Sequence, residues 1–294
     1  MNGFLSVNKP LGMTSSDVVV FVRKRLPRGV RVGHGGTLDP DASGVLPVCV
    51  GGAARLFDYI IDKEKTYEAI LALGVVTDTQ DASGAVLDRR PVDVDRAGLE
   101  AVLPEFIGGI EQIPPMYSAI KKDGRRLYQL ARKGEVVDVP PRKCNVYGIE
   151  VLDEPGDNRY RLRIRCGKGV YIRTLCHDIG ARLGPGGHMA ALERTAAGAF
   201  SIENSVTLDE IQRLADAGRL EDALLPMDYP IGHLPRVDVG KEHMHAVKNG
   251  NPLKAQWLSC AVPDGPVRVY IGENFCGIGE KNGTGGIRFR AMLL

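Results

Sequence analysis

No stretch of this 294-residue chain approaches the ~20 consecutive apolar residues that a membrane-spanning helix needs. The opening segment, Met1 to Met13, also lacks a basic flank followed by an apolar core. Secretion and membrane insertion are therefore not expected. Cysteine occurs six times, at 49, 144, 166, 176, 260 and 276, but never as CxxC, so neither a disulfide framework nor a zinc site is indicated and a reducing cytoplasm fits best. Net charge is small, +2 from 38 basic and 36 acidic residues. No glycine-rich run ends in GK[ST], and the GxxG spacings near residue 33 are too loose for a dinucleotide fingerprint. What is present is an ordinary globular composition, 44% apolar and 25% charged, with length for about two domains.

The near-zero charge conceals segregation. Arg23, Lys24, Arg25, Arg28 and Arg31 stand together without an acid; residues 121–143 carry a net +5; and 159–173 hold Arg159, Arg161, Arg163, Arg165, Lys168 and Arg173, again without an acid. Residues 201–228 carry a net −5. One basic cluster alone reads as a solvated face, but three suggest a phosphate-binding surface on a nearly neutral protein.

Periodicity predicts a strand over 3–9, a helix from a cap at Thr14, Ser15 or Ser16 to about Leu26, and a loop over 29–44. Helices are expected over 53–61, 96–106 and 124–133, and strands over 65–73, 144–152 and 160–166. The mixture lacks a βαβ rhythm and predicts an α+β fold, a largely antiparallel mixed sheet flanked by helices. Alternation in Arg159 to Arg165 puts four arginines on one face, expected to be wet and positive. The acidic 206–228 segment reads as helical, Pro226, Pro230 and Pro235 as a linker, and the remainder to 294 as a small β module. DASG occurs at 41–44 and again at 81–84 without repeated flanks, which shared turn chemistry explains.

The densest chemical candidate is Gly33 to Gly44, GHGGTLDPDASG. Its glycines admit a ligand close to the backbone, and Asp39 before Pro40 is kept out of the helical region. By composition alone a structural turn capped by Asp39 explains it as well. Two other constellations carry less. In Glu242, His243 and His245, HxH on a helix points its rings apart; Cys176, His177 and Asp178 are helix neighbours that do not face one another.

The 33–44 loop resembles the catalytic motif of the TruB family of tRNA pseudouridine synthases. Four further segments resemble that family in order: Asn8-Lys9-Pro10 with Gly12-Met13-Thr14 and Asp17; Lys65-Thr66-Tyr67; Gly167 to Gly180; and Leu192 to Phe200. Gln112 to Lys121, QIPPMYSAIK, resembles the RNA-gripping insertion of its bacterial branch, here about 112–143. Gly35 and Val170 depart from the family pattern, where a hydroxyl residue and a threonine are usual.

The resemblance implies a catalytic domain over 1–230 and a PUA-like RNA-binding domain, a small β-barrel, over 235–294. It implies isomerisation of the T-loop uridine of tRNA, position 55 in tRNA numbering, with Asp39 as the essential carboxylate. Tyr67 would stack on the flipped base, Arg173 pair with Asp39, Leu192 wall the pocket, His34 contact the opened loop or phosphate, and Lys9 contact substrate. No cofactor, metal, guide RNA or obligatory protein partner is implied; the expected partner is the T-arm stem-loop of tRNA. Two rivals remain at this level: a non-catalytic RNA-binding or tRNA-folding protein of the same fold, and a hydrolase using Asp39 with Asp41.

Overall fold

The computed structural model describes residues 1–294 apart from 62, 119, 123, 132, 133 and 136. The α+β expectation holds. A nine-stranded sheet runs in the order Gly3–Lys9, Ala42–Val50, Gly187–Ala197, Lys65–Leu73, Arg159–Cys166, Arg142–Gly156, Gly108–Gln112. Val32–His34 adds to Ala42–Val50, and Phe200–Ser201 to Gly187–Ala197. Its pairings are antiparallel except where Ala42–Val50 meets Gly187–Ala197.

Alternation decides which face each strand buries. Tyr67, Ala69 and Leu71 turn inward with Tyr160, Leu162 and Ile164, and the helix Ile172–Leu183 covers them with Leu175, Cys176 and Ile179. Beside this core, the helix Ser15–Arg23 buries Val18 and Val22 against Leu5, Val7, Leu46 and Val48. Its start is a capping box: the Thr14 hydroxyl accepts from the Asp17 N–H, and the Asp17 carboxylate accepts from the Thr14 N–H.

Several expectations change. Ala42–Val50 begins inside the segment read as loop, and the alanine-rich Gly187–Ala197 strand carried no strand signal; both are fixed by pairing with a neighbour on each side. The helix read over 53–61 is a 3-10 turn, Gly51–Leu56, followed by a short helix, Phe57–Ile61. Within the expected 124–133 helix only Leu127–Ala131 is helical; 132 and 133 lie outside the described residues.

The Arg159–Cys166 strand alternates as expected, but its outer face is not a free positive surface. Arg161 pairs with Asp153 and Glu68, Arg163 with Glu68 and Glu150, and Arg165 with Glu64. Such exposed pairs each contribute only ~0–1 kcal/mol, yet together they neutralise the face. The clustering is visible in the sequence, whereas the carboxylates opposite lie on neighbouring strands and, at Glu64, just ahead of one.

Residues 236–292 form a four-stranded sheet, Arg236–Asp238, Pro266–Ile271, Asn274–Lys281, Ile287–Met292, in that order. The proline-marked segment before it is packed rather than free: Ile231 is buried, and Asp228 accepts hydrogen bonds from Arg268 and from the Tyr270 hydroxyl. Phe275, Ile278, Ala291 and Leu293 share one apolar cluster with Phe4, Val45, Cys49, Leu56 and Phe200. No helix among the described residues is long and apolar enough to cross a membrane.

This shared cluster predicts coupled unfolding. Ile278→Ala should lower stability by about 2–5 kcal/mol, and calorimetry should show one transition moving as a whole. Two separated transitions, with only one displaced, would show that the units melt independently.

Candidate active site

The loop carrying Asp39 is pinned at Gly35, Gly36, Leu38 and Pro40. The Gly35 N–H donates to the Pro47 carbonyl (2.7 Å), and Arg194 donates through Nη2 to the Gly36 carbonyl (3.2 Å) and through Nε to the Val45 carbonyl (2.7 Å). Ser15, in the first turn of its helix, accepts from the Leu38 N–H (2.8 Å) and donates to the Leu38 carbonyl (3.0 Å). The Gly12 N–H donates to the Pro40 carbonyl (2.9 Å). Gly44 has φ +100°, and a Cβ there would lie 2.2 Å from the Arg194 carbonyl oxygen, so only glycine lets the two parallel strands meet beside the loop. At Gly35 a Cβ would meet Ile60 at 3.2 Å and Pro47 at 3.4 Å; these neighbours fill the space beside the backbone.

Asp39 emerges from this frame with 42% of its side chain open. Its Oδ2 lies 3.1 Å from Nε of Arg173. Arg173, only 5% exposed, is itself clamped: Nη1 meets Asp81 Oδ2 and the Thr79 carbonyl, each at 3.4 Å, and Nη2 donates to the Tyr117 carbonyl at 2.9 Å. A buried guanidinium needs such partners, and their directions leave Nε aimed at Asp39. Asp81 is oriented in turn by Thr79 Oγ1 (2.7 Å), the Ser83 N–H (3.0 Å) and Ser83 Oγ (2.6 Å).

Opposing forces act on the Asp39 carboxyl. Burial pushes its pKa above the ordinary carboxylate value, Arg173 pulls it back, Asp81 and Asp41 push it up, and Lys9 pulls it down. Tyr67, on Lys65–Leu73, is near enough to Asp39 for their charges to interact, with Leu192 on the neighbouring strand and Leu38 in the same apolar cluster. The Tyr67 hydroxyl is pushed above its ordinary pKa, chiefly by burial, with Arg194 in hydrogen-bonding reach pulling the other way; it is therefore a neutral phenol at neutral pH. His34 stands on Val32–His34, opposite Val48; its imidazole is held below its ordinary pKa by burial and by Arg194, and among the described residues its Nδ1 has no partner.

Lys9 differs from the expectation of a substrate contact. Fully buried, its ammonium donates to the carbonyls of Met13 (2.7 Å), Pro10 (2.9 Å) and Pro40 (3.3 Å). All three donors are thus committed to backbone, and burial lowers its pKa to about 8 against the pull of Asp39 and Asp41. In this structure Lys9 ties the N-terminal turn to the Asp39 loop.

Arg194 and Asp81 are site residues that the sequence does not single out. Arg194 lies in the same 192–200 motif as Leu192, and Asp81 opens the second DASG, whose repeat is the one signal the sequence offers for it. The thiol of Cys176 is buried and pushed up to about 12, so it stays protonated and is no nucleophile. No group of three metal-ligating side chains converges among the described residues.

Because Asp81 repels a charge on Asp39, Asp81→Asn should lower the pKa of Asp39. Carbon-13 NMR titration of the aspartate carboxyls measures this; no change would show that Asp81 does not act on Asp39, and a rise would show that it acts chiefly by holding Arg173 in place rather than by direct repulsion.

Comparison with known proteins agrees with this architecture. A model described as the TruB family pseudouridylate synthase N-terminal domain matches residues 23–172, and one described as the tRNA pseudouridylate synthase B C-terminal domain matches 173–231. Proteins named tRNA pseudouridine synthase B are 44% identical in Stutzerimonas stutzeri and 45% identical in Dechloromonas aromatica, each over 100% of this chain and 96% of the relative. Among solved structures, an H/ACA ribonucleoprotein bound to a substrate RNA containing 2′-deoxyuridine superposes with TM-score 0.74 and 27% identity over 99% of this chain and 85% of its own. The chain belongs to the TruB family of pseudouridylate synthases.

Proposed function

We propose that this protein is a tRNA pseudouridine synthase that isomerises the T-loop uridine at tRNA position 55, with Asp39 as its essential carboxylate. The observation that carries the assignment of Asp39 is its pairing, half open, with a buried and fully oriented Arg173 beside Tyr67 and Leu192. The near-full-length similarity to proteins named tRNA pseudouridine synthase B supports the substrate class, and supports action without the ribonucleoprotein setting of the more distant structural relative.

The reaction breaks C1′–N1, joins C1′ to C5, moves a proton off C5 and returns one to N1. It is redox-neutral, so no redox cofactor enters. An ionised Asp39 can attack C1′ or C6, or assist departure and recapture of the base; each route needs the carboxylate, which Arg173 favours against burial. The target base must leave its stack, and Tyr67 supplies a π-face for it while Leu192 limits water around the detached uracil. The basic 121–143 segment is assigned to gripping the T-arm, and residues 235–294 to a PUA-like RNA-binding domain. The rival reading as a hydrolase of Asp39 with Asp41 loses support, because the group paired with Asp39 is a guanidinium.

Asp39→Asn tests the assignment twice. Isomerisation should be abolished while tRNA affinity changes little, since phosphate contacts dominate binding. The folded-state pKa of Asp39 lies above its unfolded value, so ionising it opposes folding: the ionised form is disfavoured above the folded pKa, and that cost vanishes as pH falls below the unfolded value. Asn should therefore raise Tm at neutral pH, with the gain fading through the ordinary carboxylate range. Pseudouridine mapping by position and melting curves against pH measure both; an active variant would overturn the assignment.

Tyr67 separates stacking from proton transfer. Tyr67→Phe keeps the ring, whose stacking contributes ~1–3 kcal/mol, and Tyr67→Leu removes it. Under single-turnover conditions Phe should be impaired and Leu more so. Two variants with wild-type rates would make Tyr67 an ordinary core residue.

A further inference from the structure

Gln112 is the last residue of Gly108–Gln112, where the chain leaves the sheet for the insertion, and it pairs with Arg142, where the chain returns. Only 2% of it is exposed, so its amide must find partners inside the protein. It finds both on one residue: Oε1 accepts from the Tyr171 N–H at 2.9 Å, and Nε2 donates to the Tyr171 carbonyl at 3.2 Å. The Cys144 thiol donates to the same Oε1 at 3.5 Å. The side chain thereby extends the sheet edge by one two-point pairing, made to the residue at the mouth of a helix.

That helix is Ile172–Leu183, and Tyr171 is its N-cap, with no side-chain cap of its own. Arg173 lies two residues further, in the first turn. The phase of that turn determines where its guanidinium points, and Gln112 is what ties the turn to the sheet edge. The insertion also touches the guanidinium directly, through the Tyr117 carbonyl on Nη2. Both contacts come from the root of the insertion, residues 112–117, ahead of its basic 121–143 segment.

We infer that Gln112 is a positioning residue for the isomerisation: with the Tyr117 carbonyl, it makes the root of the RNA-gripping insertion part of the frame that holds Arg173 against Asp39. The inference rests on the reading of Asp39 as the essential carboxylate. It explains why a glutamine, rather than an apolar residue of similar volume, is buried at this edge: an apolar side chain fills the space but leaves the Tyr171 N–H and carbonyl unanswered.

The test uses the full chain with Gln112→Met, which keeps the volume without the amide, and Gln112→Glu, which keeps an acceptor for the Tyr171 N–H but sets a carboxylate oxygen against its carbonyl. Single-turnover rates on tRNA should fall on the order of 10–100-fold in both, as misplacements of an ångström do, while tRNA affinity is maintained. The groups facing Asp39 are Arg173, Asp81, Asp41 and Lys9. Loosening Arg173 weakens the main pull against burial, so the acid limb of the pH–rate profile should move to higher pH. A merely structural residue would lower Tm without moving that limb; an unmoved limb, or a rate lost only in step with affinity, overturns the inference. In the RNA-free protein, the Arg173 Nε–H resonance should lose its protection from exchange in Gln112→Met. This arm does not depend on activity: if it fails, the positioning role is wrong, whereas an active Asp39→Asn would refute the catalytic reading instead.

Discussion

A single buried guanidinium organises the site. Arg173 brings a full charge into a nearly dry position, which is stable only because two carboxylates and two carbonyls surround it. Those partners come from three separate parts of the chain: the Asp39 loop, the 78–84 turn and the insertion. Each is held by further contacts that have no other evident purpose, such as Ser15 on Leu38 and Ser83 on Asp81. The fold around the site is therefore a set of braces for one ion pair.

The balance of forces on Asp39 follows from that arrangement. Burial and two neighbouring aspartates disfavour its charge, while Arg173 and Lys9 favour it, so its pKa is raised rather than strongly depressed. A carboxylate held in this way is less comfortable in its ionised form than one in water. It is correspondingly less quenched by its surroundings, which suits the role proposed for it. The cost is borne as stability at neutral pH, a trade commonly found at functional sites.

Positive charge is handled differently in different places. On the outer face of the sheet, arginines meet glutamates and an aspartate from neighbouring strands and form a neutral lattice. At Lys9, the charge is turned inward onto carbonyls and works as a structural tie. At Arg173 a buried cation is aimed at an open carboxylate. Equal residue types thus serve three purposes, and the difference lies in what each faces.

The sequence by itself determined much of this protein: the α+β class, the capped helix at Thr14, the inward face of Tyr160, Leu162 and Ile164, and the candidacy of Asp39, Tyr67, Arg173 and Leu192 through their motifs. These are local properties, written in periodicity, capping and ordered short segments. Tertiary structure alone decided the Gly187–Ala197 strand, because alanine-rich residues acquire extended structure only by pairing on both sides. It decided that the arginine face is neutral, that Lys9 faces inward, and that Ile278 and Leu293 close a core begun by Phe4. It also decided the contacts of Asp81, Arg194 and Gln112, whose partners lie far away in the chain; a hydrogen bond to a distant group leaves no periodicity for a sequence to display.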